Sequence, residues 1–199
     1  LRKEDVQIYS YGDKHPHNIN LYKSTMDEEF EWDEPSLQHT LADEFDHIAN
    51  GVYGPNDRFY YTKCYQNREN DNLCSIYFRE VDEEGHFSKK EVRLPAKINK
   101  SGATTTQPTF GKVHKTKGRK TTTYDVMYFS TDRPGGVGGK DLWYVVLHNG
   151  KFGTPINCGK RINTVRDEVT PFYDQTEGKL YFSSNYHYGL GGFDVFAAK

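Results

Sequence analysis

The chain has 199 residues, 15% of them aromatic and 27% charged, with a net charge of −2 from 26 Lys/Arg and 28 Asp/Glu. A mean hydropathy of −0.87, with no apolar run of membrane-spanning length, excludes a bundle of transmembrane helices, and the opening Leu1-Arg2-Lys3-Glu4-Asp5 does not read as a signal peptide. Fifteen Tyr, 18 Gly and only two Met suit short strands with frequent turns.

Taken in chain order, the strands fall into four groups. The first has expected strands at 6–9, 20–23 and 30–32, ending at Pro35. The second runs through 48–53, 58–64, 74–79 and 85–87, and the third through 107–110, 125–130, 141–146 and 151–155. The fourth has 169–172, 179–184 and 194–197. Turn signals separate them: Gly12-Asp13, Glu84-Gly85, Asn149-Gly150, Glu177-Gly178 and the cluster from Gly135 to Gly139. Phe45 to Asn50 is the nearest approach to helical periodicity and is read as a connector into a strand. Prolines in the first and last strands of a group are tolerable only where the missing N–H faces no partner, at an edge or a strand start.

One pattern recurs in every group. A Ser, Thr or Cys is followed ten residues later by an Asn, Asp or Cys: Ser10/Asn20, Cys64/Cys74, Thr131/Asp141 and Ser184/Asp194. Each pair is flanked by aromatic or β-branched strands. A repeat of this length, about fifty to sixty residues, matches a four-stranded propeller blade with its loops. The expected fold is therefore all-β: a β-propeller of four-stranded antiparallel blades, with about four consecutive blades in one domain spanning 1–199. Their approximate bounds are 5–45, 46–103, 104–166 and 167–199. The first lacks its opening strand and the last its closing strand, so both are incomplete and the chain reads as part of a larger ring.

The paired positions close one strand and open the next, so they face each other at the mouth of a hairpin. Ser10 with Asn20, Thr131 with Asp141 and Ser184 with Asp194 are expected to pin the hairpin, by bonding each other or by capping the turn backbone. The competing reading, a cation held by Asp132 and Asp141 or by Asp194, is weaker because each loop offers only one or two carboxylates. Cys64 and Cys74 are expected to form a disulfide across the same position, with Cα atoms about 5–6 Å apart, and to stabilise the hairpin by about 2–3 kcal/mol. Cys158 has no partner and is expected to be a free thiol. A disulfide implies an oxidising compartment.

No catalytic, metal or cofactor site is expected. His15-Pro16-His17 has no companion at ligand spacing, and there is no nucleophile elbow, P-loop, His-Glu-x-x-His or sialidase-type Asp box. The acidic runs Asp27-Glu28-Glu29 and Asp82-Glu83-Glu84 read as solvated connectors. The charge is uneven: 4 Lys/Arg against 12 Asp/Glu in 1–50, 9 against 8 in 51–100, and 13 against 8 in 101–199. That asymmetry speaks of association rather than fold. A basic run containing Lys115, Lys117, Arg119 and Lys120 is read as an extended loop of the third group and a candidate partner contact. Nucleic acid is not the expected partner, since no aromatics interleave with it.

Residues 127–146 and 150–196 closely resemble the TolB-like, WD-type propeller repeats of Bacteroidetes envelope proteins. The matching positions include Arg133-Pro134-Gly135-Gly136, Gly138-Gly139-Lys140-Asp141, Pro155-Ile156-Asn157, Ile162-Asn163-Thr164, Asp167-Glu168 and Pro171. The match is strong over 104–199, weaker over 46–103, and over 5–45 survives mainly as hairpin spacing and Trp32 with Pro35. Such repeats are familiar beside OmpA-like, carboxypeptidase-regulatory-like and tetratricopeptide domains, some in the type IX secretion machinery. The resemblance implies a non-enzymatic, periplasmic scaffold associated with the outer membrane. It would bind envelope proteins and reach peptidoglycan only through domains not seen in this chain. The alternative is a glycan-active or peptidase-gating propeller of a larger enzyme.

Overall fold

A computed structural model describes residues 19–41, 47–66 and 72–199. Every regular element among them is a β-strand, so the all-β class holds. No helix of the described residues is long and apolar enough to cross a membrane. Strands β1 (Tyr22–Lys23) and β2 (Ser36–Leu37) form a two-stranded antiparallel sheet. Strands β3 (His47–Gly54), β4 (Arg58–Gln66), β5 (Asn72–Glu80) and β6 (Val92–Arg93) form a four-stranded antiparallel sheet in chain order. The third sheet runs β7 (Thr105–Lys117), β8 (Lys120–Thr131), β9 (Asp141–His148) and β10 (Lys151–Phe152), with β11 (Ile156–Asn157) also pairing β9. The fourth is β12 (Glu168–Asp174), β13 (Lys179–Ser184) and β14 (Asp194–Ala198). No sheet closes on itself among the described residues.

Where one face of a strand is covered and the other is not, its side chains alternate in burial. In β13, Leu180, Phe182 and Ser184 are buried while Lys179, Tyr181 and Ser183 are half-buried. Successive sheets stack through three apolar clusters. Leu41, Ile48, Phe59 and Tyr61 are joined by Leu21 from the first sheet. Tyr60, Ile76 and Phe78 of the second sheet meet Phe110, Met127, Phe129, Val145 and Phe152 of the third. Leu142 and Tyr128 of the third meet Leu180, Phe182, Tyr173 and Phe196 of the fourth. Aromatic pairs span these seams: Tyr60 lies 4.7 Å from Phe110 and Tyr128 stacks on Tyr173 at 5.8 Å between ring centres. Gly111 allows the last of these, because a Cβ there would lie 2.6 Å from the Tyr173 ring.

The opening strand of each larger sheet carries the same irregularity. The register slips between Ala49 and Val52, between Thr106 and Thr109, and between Val169 and Phe172. Asn50, Gln107 and Thr170, inside these bulges, have φ near +50° to +57°. Pro108 and Pro171 follow the second and third of them, so their missing N–H groups fall where no ladder bond is due. The bulge turns Gln107 to both neighbours at once. Its N–H donates to Thr62 Oγ1 of the second sheet at 2.9 Å, and its Oε1 accepts the Thr170 N–H of the fourth at 2.8 Å.

Three sequence expectations need correction. The basic run is not a loop: β7 and β8 continue as a hairpin, with Lys115 opposite Thr122 and Lys117 opposite Lys120. The run reads as a loop because both of its faces are polar, which hides any alternation. Hydroxyl pairing of Thr116 with Thr121 (3.0 Å) and a His114–Thr123 contact (2.9 Å) hold it, and Gly118 makes the turn at φ +61°. The closing strand of the second group lies at Val92–Arg93, while 85–87 contributes only the bridge between Val81 and Phe87. Likewise 30–32 contributes only the bridge between Met26 and Trp32, and β2 lies beyond it. In both cases an aspartate ties a tight turn first. Asp27 accepts the N–H of Glu29 and Glu31, and Asp82 those of Glu84 and His86. The strands expected at 6–9 lie outside the described residues.

Candidate functional site

The ten-residue pairs stand directly opposite one another in register: Cys64 with Cys74, Thr131 with Asp141, Ser184 with Asp194. Ser10 lies outside the described residues, and Asn20 is half-buried. Cys64 and Cys74 form a disulfide with Cα atoms 4.0 Å apart. That is closer than the 5–6 Å expected, because directly facing antiparallel residues can approach to about 4.5 Å. In the other two pairs the facing side chains do not bond each other. Each instead secures backbone around it.

Asp141 accepts the N–H groups of Val137 and Gly138 and the Asn157 Nδ2 at 2.7 Å. Asp194 does the same in the next sheet, accepting from Leu190 at 2.8 Å and Gly191 at 3.2 Å. The hydroxyls turn away from these carboxylates. Thr131 Oγ1 lies 3.3 Å from Thr105 Oγ1 and accepts the Arg133 N–H. Ser184 donates to Glu168 Oε1 at 2.8 Å and accepts the Tyr186 N–H. Fully buried Glu168 also accepts the N–H and hydroxyl of Thr164, at 2.8 and 2.6 Å. A buried carboxylate with three donors is structurally satisfied.

Two asparagines make a second repeated device. Asn99 both accepts the Ile76 N–H and donates to the Ile76 carbonyl, each at 2.8 Å. Asn163 clips Leu142 in the same two-point manner, at 2.8 and 2.9 Å. Arg133 completes the arrangement, donating to the carbonyls of Lys97 and Ile98. Its guanidinium lies 5.1 Å from the rings of both Phe129 and Trp143, and burial pushes its pKa below the ordinary value.

These anchors bring three loops around one open groove of about 720 Å³. The glycine-rich loop supplies Gly136 and Val137, the segment after β11 supplies Lys160 and Asn163 to Val165, and the loop after β13 supplies Tyr186, His187 and Tyr188. The first two loops approach closely at Gly138, where a Cβ would lie 2.2 Å from the Thr164 carbonyl oxygen. His187 Nε2 donates to the Ile162 carbonyl at 2.8 Å, since that oxygen can only accept. The ring also packs on Phe182 and Phe196. Tyr188 is 101% exposed and Tyr186 57% exposed. No lining residue is acidic. The nearby carboxylates Asp141 and Glu168 are held by backbone and hydroxyl donors, and Asp167 Oδ1 accepts the Lys140 N–H at 2.8 Å.

Other titratable groups are structural. Tyr61 is fully buried, donates to Glu91 at 2.6 Å, and has its pKa raised by burial and then by Glu91. Lys63 and Arg79 pair with the same Glu91 at 3.4 and 3.7 Å. Cys158 is a free thiol packed beside the Leu142 cluster, and burial followed by the charge of Asp141 pushes its pKa up to about 12. Asp82, Glu84 and His86 gather on one exposed turn, where Asp82 serves as the turn cap. Lys115, Lys117, Arg119 and Lys120 lie along the exposed basic hairpin, away from the groove lining.

Sequence reasoning missed the groove. Asn163 and Thr164 entered only as resemblance positions, and Lys160, Tyr186 and Tyr188 were not singled out. The available signal was the run Tyr186-His187-Tyr188 inside a glycine-rich loop whose counterpart at 132–140 holds no aromatic residue.

No protein-family model matches the chain, and no curated protein is similar to it. Among solved structures it is similar to a thermostable family-43 glycoside hydrolase, with 13% identity and a TM-score of 0.44 over 90% of this chain. The chain spans 60% of that enzyme's length. The expected assignment as a non-enzymatic, protein-contacting scaffold is thereby corrected: the neighbour is an enzyme, a glycoside hydrolase, and the scaffold reading is withdrawn.

Proposed function

We propose that the chain is a glycan-contacting segment of a larger carbohydrate-active protein, built as consecutive blades of a β-propeller. The observation that carries the glycan reading is the groove walled by Tyr186 and Tyr188 beside Lys160 and His187. A sugar ring offers a C–H face for an aromatic side chain and a rim of hydroxyls for fixed polar groups. Exposed aromatics gathered at a concave, partly polar surface have that complementarity. With no acidic lining residue, the groove's part is to hold a sugar while any bond cleavage falls to groups elsewhere in the protein.

Support for propeller blades comes from the packing order. Strand β7, the first of its sheet, lies against β3 on one side and β12 on the other, as first strands do around a common axis. The disulfide supports an oxidising compartment such as the periplasm. The deciding experiment is a glycan array followed by calorimetric titration with the purified protein. Binding of at least one oligosaccharide class is expected, weakened about tenfold by Tyr188→Ala and by Tyr186→Ala. A folded protein that binds no glycan, or that binds equally well without both tyrosines, overturns the reading.

A further inference from the structure

We infer that the glycan held by this groove is anionic, carrying carboxylate or sulfate groups on its sugar rings; the inference rests on the groove being a sugar site. Its grounds are which polar groups in the wall remain unengaged. Asn163 is occupied at both ends of its amide, with Leu142 and with Asn157 Oδ1 at 2.9 Å. The Thr164 hydroxyl donates to Glu168 and accepts the Arg166 N–H. Neither is free to read a neutral sugar hydroxyl.

Two side-chain groups of the wall remain besides the tyrosine hydroxyls. One is the Lys160 ammonium. The other is His187 Nδ1, an acceptor for a sugar hydroxyl because the Nε2–H is committed to the Ile162 carbonyl. The same loop continues with exposed Arg161 and Arg166. None of these three cations has an ion-pair partner among the described residues. Of the neighbouring carboxylates, Asp141 and Glu168 are 1% and 0% exposed and met by N–H and O–H donors, and half-buried Asp167 accepts the Lys140 N–H. A ligand in the groove therefore meets aromatic faces and an ammonium, with no acidic residue in the lining. Tyrosine faces select a sugar ring, and the cations select a negative substituent on it.

The test titrates the protein with an oligouronate, a neutral hexose oligomer of equal length and linkage, and polyaspartate. The oligouronate is expected to bind about tenfold more tightly than the neutral oligomer, with that preference shrinking as salt rises. Lys160→Ala should remove most of the preference while Tyr188→Ala weakens both sugars alike. Equal affinity for the two oligomers, or a preference untouched in Lys160→Ala, overturns the anionic assignment and leaves the sugar reading standing. Binding of neither oligomer sinks the sugar reading itself. Polyaspartate binding as tightly as oligouronate reduces the groove to a general anion site and overturns the inference.

Discussion

Asn163 holds the N–H and the carbonyl of Leu142 in a place 1% exposed to solvent. Removing its amide strands two buried backbone groups, each worth about 1–3 kcal/mol when left unpaired. Asn163→Ala is therefore expected to lower the unfolding free energy by about 2–4 kcal/mol in urea titration, and Asn99→Ala similarly. Asn163→Asp should not rescue it, because a carboxylate cannot donate to the Leu142 carbonyl. Cys158 makes a different claim at the same scale. Its folded pKa of about 12 exceeds the ordinary 9.0 because burial, and then Asp141, disfavour the thiolate. The folded state thus holds the proton more tightly than the unfolded chain. Its stabilising contribution is complete below pH 9 and is lost as pH climbs toward 12. A thiol reagent at pH 8 should leave native Cys158 untouched and modify it promptly once the chain unfolds. The Leu142 partner of Asn163 was not visible in the sequence, since it lies on a strand 21 residues away.

At the scale of elements, the middle two strands of each sheet were the most legible. β4, β5, β8, β9 and β13 carry aromatic and β-branched runs, and the ten-residue pairs mark where one ends and the next begins. The opening strands were harder, because their bulges are made by Asn50, Gln107 and Thr170 rather than glycine. Bulges also slip the period-two pattern that a strand is recognised by. The groove was illegible for a related reason: its three loops meet only through tertiary contacts such as the close approach at Gly138 and the His187–Ile162 hydrogen bond. Two measurements test this level. Reducing the Cys64–Cys74 bridge should cost about 2–3 kcal/mol by chain-entropy arguments, read as a lower denaturation midpoint with reductant and no change in a Cys64→Ser/Cys74→Ser variant. Gly111→Ala places a methyl group against the Tyr173 ring and should cost about 1–3 kcal/mol by overpacking the seam.

For the whole molecule, stability resides in seams between neighbouring sheets rather than in one central core. Phe110 belongs to the largest of these clusters, 4.7 Å from Tyr60. Phe110→Ala should cost about 3–5 kcal/mol, and calorimetry should show whether the sheets on either side still melt together. Composition and repeat length announced this architecture, since a hydrophilic chain with many aromatics can bury narrow strips but no broad interior. What they could not announce is how the strips are kept aligned. Gln107 bonds the sheet before it through its backbone and the sheet after it through its side chain. Sliding either outer sheet against the middle one must break a bond at that single residue. Mechanically, Gln107 acts as a rivet through three plates. Shear between the sheets is opposed at that point, and the third and fourth sheets, whose loops line the groove, are held at one spacing there.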